Sequence, residues 1–277
     1  MLWTLFPLLA LAGTAQAQPV EEVPFITTPD NVTLAMLQLA RVEARDHVID
    51  LGSGDGRIVI TAARRFGASG LGVEIVPDLV VRSRKAAQAA GVASRVEFRE
   101  QDLFKTDLSA ATVVTMYLLP EVNLQLRPAL LKLAPGTRIV SHDWDMGDWR
   151  PDETLTVDAP DKAVGREKKS RLHRWVVPAR AEGLWCGAPG TELQVVQQYQ
   201  QVQARWRQGE REWWLQGRLD GRQLRLSGAA PGVWQGRVED DRIQVGAWGA
   251  PGAGARRPGR AAGNEGPVLT RAAGERC

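Results

Sequence analysis

The sequence predicts an α/β fold with a mostly parallel sheet, followed by a small antiparallel β-meander domain. Between residues 47 and 144, short apolar runs alternate with amphipathic runs, as is typical of strands and helices that follow one another. After Pro178 this alternation stops, and short runs rich in tryptophan and β-branched residues are separated by glycine-rich turns. A chain of 277 residues is long enough for one large domain and one small one.

A separate segment, residues 1–17, precedes these domains. Residues 2–12 are apolar and uncharged, a run too short to span a bilayer comfortably. Ala15 and Ala17 form a small-x-small cleavage site, so the segment is typical of a secretory signal peptide, although neither Lys nor Arg precedes the apolar run. We expect an exported, periplasmic or membrane-associated protein without a further transmembrane span; a cytoplasmic protein is the alternative.

Residues 18–46 predict an N-terminal segment and a helix that caps the core. Leu34, Leu37 and Leu39 recur at helical spacing, and Thr28 or Asp30 is expected to cap the helix.

The main domain is predicted over residues 47–179. Its apolar runs predict strands at 47–52, 70–75, 95–101, 112–119 and 138–144. Its amphipathic runs predict helices at 57–66, 77–90 and 121–133. Two later runs, at 155–158 and 171–177, indicate a hairpin at the edge of the sheet.

The loop after the first predicted strand is the most informative part of the chain. Asp50 ends the apolar run, and Gly52, Gly54 and Gly56 follow at alternate positions. Glycines let the backbone turn tightly and approach a ligand closely, because they have no Cβ. A dinucleotide site requires the spacing G-x-G-x-x-G, whereas this loop has D-x-G-x-G-x-G, which argues against a dehydrogenase. An acid at the strand end repels phosphate and suits a cation, such as the ammonium and sulfonium of S-adenosylmethionine.

Two more acids follow apolar runs. Glu74 is placed to accept hydrogen bonds from both hydroxyls of a ribose, and Asp102 from an adenine amino group. Thr28, before the first helix, is expected to fold over the methionine carboxylate. We therefore expect S-adenosylmethionine as the cofactor; a glycine-rich turn in a non-catalytic domain is the alternative. The predicted cofactor-binding residues are Thr28, Asp50, Gly52, Ser53, Gly54, Gly56, Glu74, Asp102 and Leu103.

With these residues the sequence resembles class I S-adenosylmethionine-dependent methyltransferases over about residues 24–180. It is similar in particular to the group of mitochondrial lysine methyltransferases of ATP synthase and the adenine-nucleotide carrier, and to their bacterial relatives. The segments that carry the resemblance are PFITTP (24–29), DLGSGDGRIVI (50–60), DLS (107–109), YLLP (117–120) and SHDWDM (141–146). The resemblance implies a Rossmann-like seven-stranded methyltransferase sheet with one inserted antiparallel strand, and a protein lysine amine as methyl acceptor.

Methyl transfer from a sulfonium is an in-line displacement, so the protein mainly aligns the nucleophile and excludes water. In this fold the methyl group points over the carboxyl end of the fourth strand. Tyr117 and Pro120 are therefore expected to shape the acceptor site, and Asn123 to hydrogen-bond the acceptor. His142 precedes three acids at the end of the fifth strand and is a candidate base; a structural histidine is the alternative.

Other functions also fit the sequence. A small molecule or a lipid headgroup is an alternative methyl acceptor, and a non-catalytic envelope binding protein on a methyltransferase scaffold is an alternative to an enzyme. The net charge of +3 arises mainly from arginines after residue 200 and indicates no clear nucleic-acid partner. The sequence does not indicate an oligomeric state.

Residues 180–248 predict the β-meander domain, with strands at 192–199, 212–217, 223–227, 233–238 and 242–246. Its tryptophans, at 206, 213, 214, 234 and 248, are expected to form the core; an aromatic ligand platform is the alternative. Residues 249–277 are rich in Gly, Ala, Arg and Pro and predict a flexible tail.

Cys186 and Cys277 are the two cysteines of the chain, and they bracket this C-terminal region. In an oxidising compartment we expect them to form one disulfide; two free thiols are the alternative. The cysteines and the three scattered histidines show no metal-ligand spacing, so no metal site is predicted.

Overall fold

The computed structural model describes residues 26–228, 233–246, 267–274 and 276–277. The signal-like segment, residues 1–17, lies outside the described residues. Within the described part of the chain, no helix is long and apolar enough to span a membrane.

The first domain is a seven-stranded sheet with helices on both faces. The strands are β1 (His47–Leu51), β2 (Ser69–Glu74), β3 (Val96–Glu100), β4 (Val113–Met116), β5 (Arg138–His142), β6 (Glu153–Asp158) and β7 (Lys169–Val176). The helices are α1 (Asp30–Leu39), α2 (Arg57–Phe66), α3 (Pro77–Ala89) and α4 (Pro120–Leu130). The strand order is β3-β2-β1-β4-β5-β7-β6, and β7 is antiparallel to both of its neighbours. The predicted fold, including the inserted antiparallel strand, is confirmed.

The strand order places a ligand crevice beside β1. The chain runs from β1 outward to β2 and β3, and then returns to the other side of β1 as β4. Adjacent connections therefore leave the sheet in opposite directions at the carboxyl ends of β1 and β4, which is where open α/β sheets bind ligands. Because β1 is paired on both sides, its residues are nearly all buried, and Asp50 is buried with them.

Helix α2 shows how the sequence produces this layer. Ile58, Val59, Ala62 and Ala63 form one buried face against the sheet, in the spacing of an amphipathic helix. Gly67 ends the helix in the left-handed conformation, with φ 73°, and its N–H donates to the carbonyl of Ala63.

The cap predicted for α1 is wrong in its detail. The helix begins after Pro29, and no side chain caps it. The hydroxyl of Thr28 instead lies 3.2 Å from Nδ1 of His142, on β5.

The second domain is a closed barrel of eight antiparallel strands, in the order β10-β11-β12-β13-β14-β15-β8-β9. The strands are β8 (Gly183–Cys186), β9 (Thr191–Gln198), β10 (Gln201–Gln208), β11 (Arg211–Asp220), β12 (Gln223–Gly228), β13 (Trp234–Val238), β14 (Arg242–Val245) and β15 (Val268–Arg271). The predicted meander is present, and β15 closes it by pairing with both β14 and β8. Closure pairs each described strand of the barrel with two neighbours.

The structure corrects the predicted flexible tail in its last part, because β15 lies within 249–277, whereas residues 249–266 lie outside the described residues. Strands β8, β10 and β15 were not among the predicted runs. The disulfide between Cys186 and Cys277 is confirmed, with a Cα–Cα distance of 5.5 Å. It joins the C-terminal residue to β8, the strand on which β15 closes the barrel.

The tryptophans of the barrel divide between its two faces. Trp185, Trp206 and Trp234 are buried in the barrel core, and Trp213 packs partly against it. Trp214 is 68% exposed, because successive side chains on a strand point to opposite faces. The expectation that Trp214 belongs to the core is therefore wrong, and Trp248 lies outside the described residues.

A small buried contact joins the two domains. The indole Nε1 of Trp149 donates to Oε1 of Gln200 at 3.0 Å, and the Gln200 amide donates to the carbonyl of Arg150 at 2.7 Å. The ring of Tyr199 stacks on Trp149 with ring centroids 6.0 Å apart. Each domain otherwise has its own apolar core.

Candidate active site

The glycine-rich loop turns sharply between β1 and α2. Gly52, Gly54 and Gly56 have φ values of 74°, 55° and 80°, in the region that favours glycine. A Cβ on Gly56 would lie 2.7 Å from the Phe98 ring, so a larger residue would force the loop away from β3. The side-chain hydroxyl of Ser53 is buried and has no hydrogen-bond partner among the described residues.

Asp50 lies at the base of this loop, nearly completely buried. It is in register with Thr115 of β4, whose hydroxyl donates to Oδ1 of Asp50 at 2.6 Å. Burial raises the pKa of the Asp50 carboxyl to about 7. The hydrogen bond from Thr115 opposes this shift in pKa, while the carboxylates of Glu74 and Asp55 add to it. A cationic ligand would favour the ionised carboxylate.

Glu74 ends β2 and holds the loop in place. Its Oε2 accepts from the N–H of Gly54 at 2.9 Å. Its Oε1 accepts from the N–H groups of Ile75 and Val76 at 2.8 and 3.0 Å. A carboxylate offers about four acceptor positions, and the three N–H groups occupy three of them, so one position remains for one ribose hydroxyl and not for both.

Asp102 follows β3 at the same edge of the sheet. Its Oδ1 accepts from the N–H of Phe104 at 2.9 Å and so caps a short 3-10 helix, Leu103–Lys105. Leu103 packs partly against the core, and the Phe104 ring is half exposed beside it. The sequence analysis did not identify Phe104 as part of this edge.

Arg57 brings the segment before α1 to the glycine loop. Its guanidinium donates to both oxygens of Asp55, at 2.9 and 2.7 Å, and to the carbonyl of Thr28 at 2.8 Å. Thr28, predicted as a cofactor-binding residue, is thereby held beside the loop. Sequence analysis missed this role of Arg57, although the residue directly follows the last glycine of the motif.

His142 is completely buried at the carboxyl end of β5. Its Nδ1 lies 3.2 Å from the hydroxyl of Thr28, and its Nε2 lies 2.7 Å from the hydroxyl of Ser170. Burial lowers the pKa of His142 to about 4, against the opposing effect of Asp143. Because the His142 ring is neutral and a hydroxyl lies within hydrogen-bond distance of each of its nitrogens, the structure favours a structural role for His142 over that of a base.

The other acceptor-site candidates lie around β4 and α4. The Tyr117 ring is partly buried and stacks on His142, with ring centroids 3.9 Å apart. Pro120 is the first residue of α4. Asn123 is completely buried, and its amide donates to the Ser141 hydroxyl at 3.1 Å and to the Trp144 carbonyl at 3.2 Å. The amide nitrogen therefore holds the loop after β5, whereas the buried Oδ1 of Asn123 has no hydrogen-bond partner among the described residues. The hydrogen bond of Asn123 to the acceptor stays a prediction.

The comparisons with known proteins agree with this geometry. Residues 50–153 match the family model described as the ANTKMT methyltransferase domain. A protein-lysine N-methyltransferase of Saccharolobus islandicus is 43% identical over 141 residues, which cover 50% of this chain and 88% of that protein. This chain belongs to the same methyltransferase family.

Two further proteins each match a little over half of the chain. The mouse adenine nucleotide translocase lysine N-methyltransferase is 31% identical over 150 residues, which are 54% of this chain and 65% of that protein. The crystal structure of an RNA methyltransferase from Salinibacter ruber, in complex with S-adenosylhomocysteine, is 52% identical. It covers 56% of this chain and 95% of that chain, with a TM-score of 0.52.

The protein is thus an S-adenosylmethionine-dependent methyltransferase, and its residues fit that cofactor. A Cβ on Gly52 would lie 2.9 Å from the Leu118 side chain, so this cradle requires glycine. The buried carboxyl of Asp50 suits the cationic end of the methyl donor, and the unpartnered hydroxyl of Ser53 offers it a hydrogen bond. Among the described residues, no group of three or more His, Cys, Asp or Glu side chains is arranged to hold a metal ion.

Replacement of Glu74 with Ala should weaken binding of S-adenosylmethionine by about 10- to 150-fold, since each hydrogen bond to a charged group contributes roughly 1.5–3 kcal/mol. The affinity of Glu74→Gln should lie between those of Glu74→Ala and the wild type, because Gln keeps the side-chain length and loses the charge. Glu97→Ala is the matched control, because Glu97 lies on the neighbouring strand and is exposed. Calorimetry measures the affinities, and an unchanged affinity in Glu74→Ala would refute the assignment.

Donor affinity should depend on pH through Asp50. The free carboxyl has a pKa of about 7 and must be ionised to pair with the cation, so binding at lower pH releases a proton. We expect affinity to rise about tenfold between pH 6 and pH 8 and then to level off. Calorimetry in buffers of different ionisation enthalpy measures the released proton. Asp50→Asn should bind weakly with no such dependence, and equal wild-type affinities at both pH values would contradict the prediction.

Proposed function

We propose that this enzyme transfers the methyl group of S-adenosylmethionine to lysine side chains of a protein acceptor. The observation that carries the proposal is the similarity to the Saccharolobus islandicus protein-lysine methyltransferase, since the matched region covers 88% of that relative. The mouse relative acts, by its name, on lysine in the adenine nucleotide translocase.

The acceptor side of the site is consistent with a cationic substrate. The loop after β5 carries three aspartates, of which Asp145 is exposed. The other two are ion-paired, Asp143 with Lys162 and Asp148 with Arg127. Trp144, between two of them, is 45% exposed. Carboxylates and a tryptophan face both attract an ammonium group. The Asp145 carboxylate disfavours RNA, the substrate named for the Salinibacter ruber protein, because RNA phosphates are anionic.

The chemistry requires a neutral amine in line with the methyl group. When bound, S-adenosylmethionine supplies a methyl carbon that is activated by the positive sulfur. The amine nitrogen forms the new C–N bond as the C–S bond breaks, and the ammonium proton leaves to solvent water before the attack. A lysine ammonium that enters a partly desolvated site loses its proton more readily. Tyr117 and Pro120 line the approach at the carboxyl end of β4.

The test is a transfer assay with methyl-labelled S-adenosylmethionine and a total protein extract. We expect label on lysine Nε, identified by mass spectrometry of the digested proteins. Chemical acetylation of the acceptor lysines should abolish the label, and Asp50→Asn should transfer at background rate. Total RNA and lipid fractions are offered in parallel. Labelling of either of them, with none on lysine, would overturn the proposed acceptor.

We also propose that the enzyme is exported. The signal-like residues 1–17 and the disulfide between Cys186 and Cys277 both favour an oxidising compartment. Peptide mapping without reduction, on protein recovered from its native cells, should find the disulfide and a mature chain that begins near Gln18. Two free thiols on an uncleaved chain would contradict export.

A further inference from the structure

Asp143 has an unusual backbone conformation at the acceptor side of the site. Its φ is 65°, which is uncommon for a residue other than glycine and costs free energy unless the surroundings hold it. The surroundings do hold it. Its N–H donates to the carbonyl of Arg171 at 2.6 Å, and its Oδ1 accepts from the N–H of Arg171 at 3.0 Å. These two hydrogen bonds hold the Asp143 side chain against Arg171 of β7.

The other carboxylate oxygen, Oδ2, meets two side chains. The ammonium of Lys162 lies 2.6 Å away, and the hydroxyl of Tyr117 donates to it over 3.4 Å. Lys162 is almost fully buried, and its ammonium also donates to the carbonyl of Lys169 at 2.7 Å. Lysine is rarely buried without a partner, and here the partner is the carboxylate that also meets Tyr117.

Lys162 belongs to the loop between β6 and β7, and the sheet order places that loop at the catalytic edge. Strand β7 is antiparallel to both β5 and β6, so β6 ends at the same edge as β5. Within the loop, the N–H of Lys162 donates to the carbonyl of Ala159 at 3.0 Å, and Nζ of Lys168 donates to the carbonyl of Lys162 at 2.6 Å. The ion pair of Lys162 and Asp143 therefore joins this loop to the end of β5.

We propose that Asp143 is a positioning residue for the transfer, which orients the Tyr117 hydroxyl toward the acceptor amine while Lys162 fixes the carboxylate from the β6–β7 loop. The inference rests on the proposed function. A hydroxyl that donates its hydrogen to Asp143 presents its oxygen as an acceptor. That oxygen can take a hydrogen bond from an N–H of the neutral amine and so direct the nitrogen lone pair at the methyl group. The long hydrogen bond in the free enzyme is expected to shorten when the acceptor binds.

The test compares Asp143→Asn with a matched variant elsewhere. Asn tolerates the left-handed conformation, so the fold should persist. The chain has two tyrosines, and Tyr199 also donates to an aspartate, Asp148, at 2.9 Å. We expect Asp143→Asn to lower kcat roughly 10- to 100-fold, with the donor affinity and the acceptor KM within about twofold of the wild type. Asp148→Asn should keep the wild-type kcat. An equal loss in both variants would show general destabilisation and overturn the proposal.

A spectroscopic measurement reports the contact itself. Burial, and then the charge of Asp143, raise the pKa of Tyr117 to about 12. In protein labelled with ¹³Cζ-tyrosine, the Tyr117 signal should not titrate below pH 10.5, whereas in Asp143→Asn it should begin to titrate. Tyr199→Phe assigns the two signals.

Lys162→Met is the second variant, and it leaves Asp143 and Tyr117 in place. We expect Lys162→Met to lower kcat, as Asp143→Asn does. In Lys162→Arg, which keeps the charge, part of the wild-type kcat should be retained. Wild-type kcat and an unchanged Tyr117 titration in Asp143→Asn would overturn the positioning role. If the wild type binds S-adenosylmethionine but methylates no lysine, the proposed function fails, and the titration still decides whether Asp143 orients the Tyr117 hydroxyl.

Discussion

The hydrogen bond from the Gly54 N–H to the Glu74 carboxylate joins the two strand ends that form the donor site. The glycine loop leaves β1 and Glu74 ends β2, so this one contact fixes the loop against the neighbouring strand. The Glu74 carboxylate also accepts from the first two N–H groups after β2. The loop is therefore ordered before a ligand arrives, and binding does not have to supply the free energy of ordering it.

The same arrangement makes ionisation of a buried carboxyl unfavourable, and a bound cation would lower the free energy of that ionisation. Asp50 and Glu74 are both buried. Burial, together with the nearby Glu74 carboxylate, raises the pKa of Asp50. A positively charged ligand stabilises the ionised carboxyl, whereas the neutral product, which has lost the sulfonium charge, does so less. The site thus favours the charged donor over the product of the reaction, on the basis of charge alone.

Much of the donor site could be predicted from the sequence, because its residues follow directly from strand ends. Asp50 and Glu74 were found since each ends an apolar run, and the adjoining glycines left few alternatives for the loop. Asp143 and Lys162 could not be paired in this way. Their contact depends on β7 being inserted between β5 and β6, and on a loop fold that no local pattern encodes.

The errors in the second domain have a similar cause. Trp213 and Trp214 are adjacent, so one must face inward and the other outward, but composition does not tell which. Strand β15 was missed because its few residues lie at the end of a Gly- and Pro-rich stretch, and its position depends on a barrel that closes through distant partners.

The barrel meets the first domain near the start of β5 and along the segment between β5 and β6. Where β5 begins and β7 ends, the N–H of Ala179 donates to the carbonyl of Gly221, and Gly221 packs against Gly136. Along the segment between β5 and β6, Trp149 contacts Gln200 and Tyr199. The family model ends at residue 153, before the barrel begins. The hydrogen bonds of Asp50 and Glu74 described above are all made within the first domain. The donor site is therefore built within the part of the chain that the family model matches, and the barrel supplies none of the contacts that hold Asp50 and Glu74 among the described residues.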